Sequence, residues 1–135
     1  MEKEPNMEPA RSKVIRSFRD LEAYQKARQA SCQVLLVTRR FPAEERHAMT
    51  GQVRRSSRAV ASVIAEARAR RRYPAAFIDR LNQALGEASE SQACFDQAPD
   101  CGHVPPEKHV ELDALFQALG GKLQRMIDKA GSFCG

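Results

Sequence analysis

Apolar side chains recur every three or four residues in four stretches of this chain, a spacing that gathers them onto one face of an α-helix. Segments containing proline or glycine, residues that end helices, separate the stretches. The pattern predicts helices over 17–41, 50–72, 74–98 and 106–130. The four stripes consist of Leu21, Tyr24, Ala27, Ser31, Val34, Thr38 and Phe41; Val53, Ser57, Val60, Ile64 and Ala67; Phe77, Ile78, Leu81, Ala84, Leu85, Ala88, Gln92 and Phe95; and Leu112, Leu115, Phe116, Leu119, Leu123, Met126 and Ile127.

Capping residues and prolines mark where the predicted helices begin. Ser17 followed by Asp20 resembles a capping box in which Asp replaces the usual Glu or Gln. Thr50 can cap the second helix by accepting a backbone hydrogen bond. Pro74 and Pro106 fit the first turn of a helix better than its interior, because proline lacks a backbone N–H.

The predicted fold class is all-α, as an antiparallel up-down-up-down four-helix bundle. Amphipathic helices joined by short connections can bury their stripes only against one another, and short connections make consecutive helices antiparallel. The length of 135 residues fits a single domain. We expect the bundle to occupy 17–131 and a flexible, proline-containing segment to occupy 1–16.

The sequence contains no stretch that predicts export or membrane insertion. The charged segment 1–13 has no apolar core of a signal peptide. The longest strongly aliphatic run, 34–37, is far shorter than the roughly 20 residues that span a bilayer. We therefore expect a cytoplasmic protein without a membrane partner, and reduced thiols at all four cysteines. These are Cys32, Cys94, Cys101 and Cys134.

Positive charge is concentrated in the second predicted helix. The chain carries a net charge of +5. Between residues 50 and 72, seven arginines stand against Glu66 alone, a local charge of +6, whereas 74–98 carries one arginine against four acids, a charge of −3. Guanidinium groups bind phosphate, so this helix is the candidate nucleic-acid-binding element. Its arginines are Arg54, Arg55, Arg58, Arg68, Arg70, Arg71 and Arg72.

The same arginines have a second interpretation. They can pair with acids of the third helix, or with acids of another subunit. Glu66, the only acid of the cationic helix, and Glu90 of the third helix are candidates for a structural polar seam that fixes helix register or a subunit contact. Two functions therefore stay open: binding of RNA or DNA, and a scaffold whose charged faces serve only self-assembly.

No residue pattern predicts catalysis, a metal site or a cofactor. Cys94, Cys101, His103 and His109 form the one local cluster of metal-ligating residues, and their spacing matches no strong zinc pattern. The single Glu-x-x-His match, at 44–47, lies in a connection rather than on a core face. No nucleophile elbow or Walker loop is present in the sequence. We therefore expect a protein that is not an enzyme.

Five short blocks resemble, in order and spacing, those of the bacterial four-helix bundle proteins, a family that includes proteins encoded by intervening sequences within 23S ribosomal RNA genes. The resemblance extends over about 15–130. It implies a ring-shaped homo-oligomer, expected to be a pentamer, without established enzymatic activity. A related accessory protein of diversity-generating retroelements works with a reverse transcriptase and nucleic acid. The blocks are 17–26 (SFRDLEAYQK), 41–46 (FPAEER), 52–55 (QVRR), 64–66 (IAE) and 84–90 (ALGEASE).

The second helix departs from the family pattern at three positions. The chain has Ala61, Val63 and Ala67 where the family usually shows Pro, Asn and Gly. These replacements should make the helix more regular and remove one polar side chain. A function that used that Asn is therefore not expected in this chain.

Overall fold

The computed structural model describes residues 14–135, which are helical apart from their connections. It contains four long helices, α1 (Glu22–Thr38), α2 (Met49–Ala69), α3 (Pro74–Asp100) and α4 (Pro106–Asp128), followed by a single turn, α5 (Ala130–Phe133). No strand occurs in this described part. The predicted all-α fold class is therefore confirmed.

Each long helix packs against two neighbours. Helix α1 lies beside α2 and α4, and α3 lies beside α2 and α4, whereas within residues 14–135 the backbones of diagonally opposite helices are farther apart. The connections between successive helices are short, so the helices run antiparallel around the bundle. The start of α1, the end of α2, the start of α3 and the end of α4 consequently lie at one end of the molecule.

One hydrophobic core fills the space between the four helices. It combines large side chains from α3 and α4, such as Phe77 and Phe116, with the small and branched side chains of α1 and α2. Burial of such side chains supplies most of the stability of a bundle. The fully buried hydrophobic residues are Ala27, Val34, Val53, Val60, Ile64, Ala67, Leu81, Ala84, Ala98, Leu119 and Leu123.

The first α-helix begins later than the sequence predicted, because the capping box at Ser17 belongs to a separate 3-10 turn. Ser17 Oγ accepts a hydrogen bond from the backbone N–H of Arg19, and Asp20 Oδ2 accepts one from that of Ser17. Leu21 then adopts an extended conformation, so α1 starts at Glu22. Residues 1–13 of the predicted flexible segment 1–16 lie outside the described residues.

The predicted cap at Thr50 is wrong. Helix α2 begins at Met49, so Thr50 lies inside the helix, where its side chain is buried. Its hydroxyl has no hydrogen-bond partner among the described residues. Glu45 from the preceding connection occupies the capping role instead, because its Oε1 accepts a hydrogen bond from the Met49 N–H at 3.3 Å.

Helix α3 extends to Asp100 rather than to the predicted end at residue 98, and a Schellman motif ends it. The His103 N–H donates to the Ala98 carbonyl at 2.9 Å, and the Gly102 N–H donates to the Pro99 carbonyl at 3.1 Å. This motif requires a left-handed residue, which Gly102 supplies with φ of 75°. Pro99 is tolerated inside the helix because it removes only one hydrogen bond from the last turn.

Candidate nucleic-acid interface

The three arginines in the first half of α2 have different environments. Arg54 is half-buried, and its Nε donates to Thr38 Oγ1 of α1 at 2.8 Å. Arg55 pairs with Glu90 at 2.7 Å and approaches Glu87 to 3.9 Å. Arg58 is exposed and has no hydrogen-bond or ion-pair partner within residues 14–135. Of these three, Arg58 presents the most available positive charge.

Glu66 and Glu90 are the candidates for a polar seam. Glu66 of α2 lies near a side chain of α3, and Glu90 of α3 contacts side chains of α2. Glu90 accepts from Arg55 and from Gln52 Nε2. Glu66 lies 3.7 Å from Arg80 Nε, with half of its side chain exposed. Both pairs bridge α2 and α3 at the bundle surface rather than at a buried position. Exposed ion pairs contribute about 0.2–1 kcal/mol each, so they adjust the α2–α3 contact without dominating its stability.

The four arginines at the end of α2 lie together at one end of the bundle. Arg68 and Arg71 are half-buried, whereas Arg70 and Arg72 are exposed in and beside the turn that leads to α3. Arg68 donates from Nη2 to the Ile15 carbonyl at 3.1 Å, and Arg71 donates from Nη1 to the Arg68 carbonyl at 3.2 Å. Both hydrogen bonds are to neutral carbonyls, so they do not offset the positive charge of either guanidinium group.

Arg68 and Arg71 line a cleft of about 710 Å³ between the start of α1, the end of α2 and the end of α4. We call it the basic cleft. Three further cations from α4 line it, and Asp20 and Glu22 are its two acids. Five cationic and two acidic side chains give a net side-chain charge of +3. The cations are Arg68, Arg71, Lys122, Arg125 and Lys129.

Like charges are close together in the basic cleft. Partial burial lowers the pKa of the Arg68 guanidinium, and the positive charge of Arg71 lowers it further, whereas Asp20 raises it. Lys122 is held by Glu22, with Nζ and Oε1 3.0 Å apart. An anion in this cleft would relieve the repulsion between the remaining cations, because an opposite charge stabilises their protonated forms.

The α4 cations were missed by the sequence analysis, which treated α4 only as a source of apolar residues. Lys122 and Arg125 are three residues apart and share one face of α4, and Lys129 follows four positions later, directly after the end of the helix. That spacing is the sequence signal from which a cationic face at the end of α4 could have been predicted. Their proximity to Arg68 and Arg71 follows from the antiparallel packing that places the ends of α2 and α4 at the same end of the bundle.

The residues weighed for metal or nucleophilic chemistry lie at the opposite end of the bundle, without a reactive arrangement. Burial raises the pKa of the Cys94 thiol, and Glu90 and Glu45 raise it further, which disfavours the nucleophilic thiolate. His103 pairs with Glu45 and His109 with Asp96, each at 2.9 Å. Within 14–135, no group of three or more His, Cys, Asp or Glu side chains is placed to hold a metal ion.

A membrane-spanning element is also absent from the described chain. None of the helices in residues 14–135 combines the length and the apolar character needed to cross a bilayer.

A family model described as 23S rRNA-intervening sequence protein matches residues 19–125, which include all of α1, α2 and α3 and most of α4. The chain belongs to the 23S rRNA-intervening sequence protein family. This match confirms the resemblance found in the sequence blocks. Four of the five cations of the basic cleft lie within the matched region of this family member, whereas Lys129 and the lining residues of α5 follow it.

A solved structure of related fold comes from Bacteroides thetaiotaomicron, and it is a protein of unknown function from the S23 ribosomal protein family. It is 20% identical to this chain, with a TM-score of 0.71, and the alignment covers 79% of this chain and 96% of that one. At this identity the likeness establishes a shared helical fold. Among curated proteins, none is similar in sequence to the chain.

Proposed function

We propose that this member of the 23S rRNA-intervening sequence protein family is a non-enzymatic helical bundle that binds RNA or DNA. The contact surface is the arginine-rich α2 together with the adjoining cations of α4. The observation that carries the proposal is the convergence of Arg68 and Arg71 with Arg125 and Lys129 around one cleft. Guanidinium groups form bidentate, charge-assisted hydrogen bonds with phosphate, and clustered cations release counterions from a nucleic acid.

The arginines of α2 contribute unequally in this proposal. Arg55 is engaged by Glu90, so its charge is largely neutralised. Arg70 and Arg72 are exposed after the last residue of α2, without a carboxylate partner within residues 14–135, and Arg72 lines a small pocket together with Arg71 of the basic cleft. The end of α2 is therefore the main phosphate-binding region, and Arg58 extends it along the helix.

Fluorescence anisotropy with a labelled single-stranded RNA or DNA, titrated at several salt concentrations, tests the proposal. The full chain should bind at low salt, and log affinity should fall linearly with log salt concentration. A variant with Arg70→Ala and Arg72→Ala should bind more weakly and with a shallower slope, by about 0.7 per lost phosphate contact on a single strand.

The matched control removes the same charge from the opposite end of the bundle. Arg39 and Arg40 are exposed after α1 and have no side-chain partner within 14–135, so Arg39→Ala with Arg40→Ala should leave binding nearly unchanged. Absence of binding at low salt, or equal losses in the two double variants, would contradict a specific interface at the end of α2.

Self-assembly is the alternative function, and the exposed guanidinium of Arg58 favours it, since a partner for this charge is missing within one described chain. We infer a homo-oligomer in the cytoplasm, with the five-membered ring that the family resemblance implies. Under the scaffold hypothesis, Arg58→Glu should convert the oligomer into monomers in light scattering. Under the binding hypothesis, the same change should weaken nucleic-acid affinity while the assembly persists.

A further inference from the structure

The basic cleft has a charged rim and an apolar floor. Leu21 and Met126 line it with nearly fully buried side chains. Phe133 of α5 also lines it, half-buried, and stacks on Phe77 with ring centroids 6.4 Å apart. A volume of about 710 Å³ lies within the range of roughly 300–1,000 Å³ typical of small-ligand sites. The cleft is therefore suited to a ligand with an apolar part and an anionic part.

The positive charge around the cleft is only partly offset by protein carboxylates. Glu22 holds Lys122, and Asp20 accepts hydrogen bonds from the backbone N–H groups of Arg16 and Ser17. Arg125 and Lys129 form no ion pair within residues 14–135. Together with Arg68 and Arg71, which bond only to backbone carbonyls, they provide four cations for an anionic ligand.

A terminal phosphate matches this charge better than an internal one. A phosphate monoester carries a charge of about −1.5 to −2 near neutral pH, with three acceptor oxygens, whereas an internal phosphodiester carries one negative charge. A duplex is too wide to enter a cleft of about 710 Å³ and could bring only its surface phosphates to the rim. The end of a single strand can enter, with its last base resting on an apolar or aromatic surface.

We propose that the basic cleft binds the terminal phosphate monoester of a single-stranded nucleic acid, with the terminal base against the partly exposed ring of Phe133. Arg125 and Lys129 of α4 contact the phosphate from one side, and Arg68 and Arg71 of α2 contact it from the other. This inference rests on the proposed nucleic-acid binding and adds a preference for strand ends.

The test compares single-stranded oligonucleotides of one sequence that carry a 5′-phosphate, a 3′-phosphate or hydroxyl groups at both ends. The fluorophore is placed in the middle of the strand, so that both ends are free. One of the phosphorylated strands should bind the full-length protein about tenfold or more tightly than the hydroxyl strand, since one charge-assisted contact is worth about a factor of ten.

Two double variants distinguish the contribution of the cleft to binding from that of the surrounding basic surface. Arg125→Ala with Lys129→Ala should abolish the preference, so that the phosphorylated and the hydroxyl strand bind with the same, lower affinity. Arg70→Ala with Arg72→Ala, at exposed positions outside the cleft, should lower the affinity for the two kinds of strand by a similar factor. Circular dichroism checks that each variant remains helical, and exposed positions were chosen for all four changes.

Each outcome distinguishes this inference from the function on which it rests. Equal affinity for phosphorylated and hydroxyl strands would overturn the inference and leave nucleic-acid binding intact. Failure of every strand to bind at low salt would overturn both. A nucleoside monophosphate that binds as tightly as the phosphorylated strand would overturn the assignment to strand ends and identify a free nucleotide as the ligand.

Discussion

The hydroxyl oxygens of Ser56 and Ser91 lie 2.7 Å apart in the fully buried interface between α2 and α3. Each hydroxyl also lies within hydrogen-bond distance of a carbonyl of its own helix, Ser91 Oγ 3.0 Å from Glu87 and Ser56 Oγ 3.4 Å from Val53, so either hydroxyl can be the donor in the pair. A pair of small hydroxyl side chains lets two helix backbones approach closely and satisfies both polar groups without water. The contact therefore fixes the distance between α3 and α2, the helix that carries the arginines.

A larger side chain at Ser56 should destabilise the bundle. Ser56→Leu introduces three additional carbon atoms into a filled interface, and we expect a loss of at least about 1–3 kcal/mol in unfolding free energy, because overpacking forces backbone shifts. Urea denaturation followed by circular dichroism measures it. Ser62→Leu is the control, on the exposed face of the same helix, and should change stability by less than about 0.5 kcal/mol. Equal effects at the two positions would contradict the close α2–α3 packing.

A cavity at the centre of the core should lower the free energy of unfolding by a comparable or larger amount. Leu81 of α3 is fully buried, so Leu81→Ala should lower the free energy of unfolding by about 2–5 kcal/mol. Leu36 of α1 is 45% exposed, and Leu36→Ala should cost much less. The same denaturation experiment measures both. A larger loss at Leu36 would mean that another copy of the chain covers this side chain, which is the result that self-assembly through α1 would give.

Acidification should weaken the contact between Glu45 and His103. The hydrogen bond from His103 lowers the pKa of the Glu45 carboxyl below its ordinary value of 4.5, and the Met49 N–H lowers it further. An acid with a lowered native pKa contributes stability that is complete above its unfolded pKa and is lost as the pH falls through its native pKa. The stability difference between the natural chain and Glu45→Gln should therefore shrink below about pH 4.5.

Thermal unfolding at a series of acidic pH values measures this difference. Glu44 is the matched control, because it is exposed in the same connection and forms no ion pair within residues 14–135. Glu44→Gln should give no comparable pH-dependent difference. A constant difference for Glu45→Gln across the acidic range would show that the Glu45 contact does not depend on ionisation of the carboxyl.

The four free thiols should react with an alkylating reagent in an order set by exposure and ionisation. Cys32 and Cys101 are exposed, whereas Cys94 is half-buried and its thiol pKa is raised by burial. The thiolate is the reactive form, so Cys94 should be modified more slowly than either exposed cysteine in the native protein. Mass spectrometry of timed samples measures the order, and the difference should disappear in denaturant. Fast modification of native Cys94 would revive a nucleophilic role for it.

The fold could be predicted from the sequence because the apolar periodicity is strong. Every residue of the predicted α2 stripe, from Val53 to Ala67, is buried. The same pattern located α4 through Phe116 and Leu119, which are also buried. The start of α1 was harder to predict, because a capping box at Ser17 has the same sequence signature whether it begins an α-helix or a 3-10 turn.

The candidate site could be predicted only in part. The clustering of Arg68 and Arg71 is visible in the sequence, because the two residues are three apart, at the end of α2 and in the turn that follows it. Their proximity to Arg125 depends on how α2 and α4 are placed in the bundle, and periodicity carries no information about it. The proximity of Glu66 to Arg80 depends in the same way on how α2 and α3 are placed.

The ion pair between Glu22 and Lys122 connects residues that are 100 positions apart in the chain. Contacts of such high sequence separation form after the local ones, since a long loop must close first. A nascent polypeptide that has not yet released α4 from the ribosome cannot form the basic cleft. Any strand-end binding by this protein would therefore begin only after α4 has been synthesised and has packed against α1.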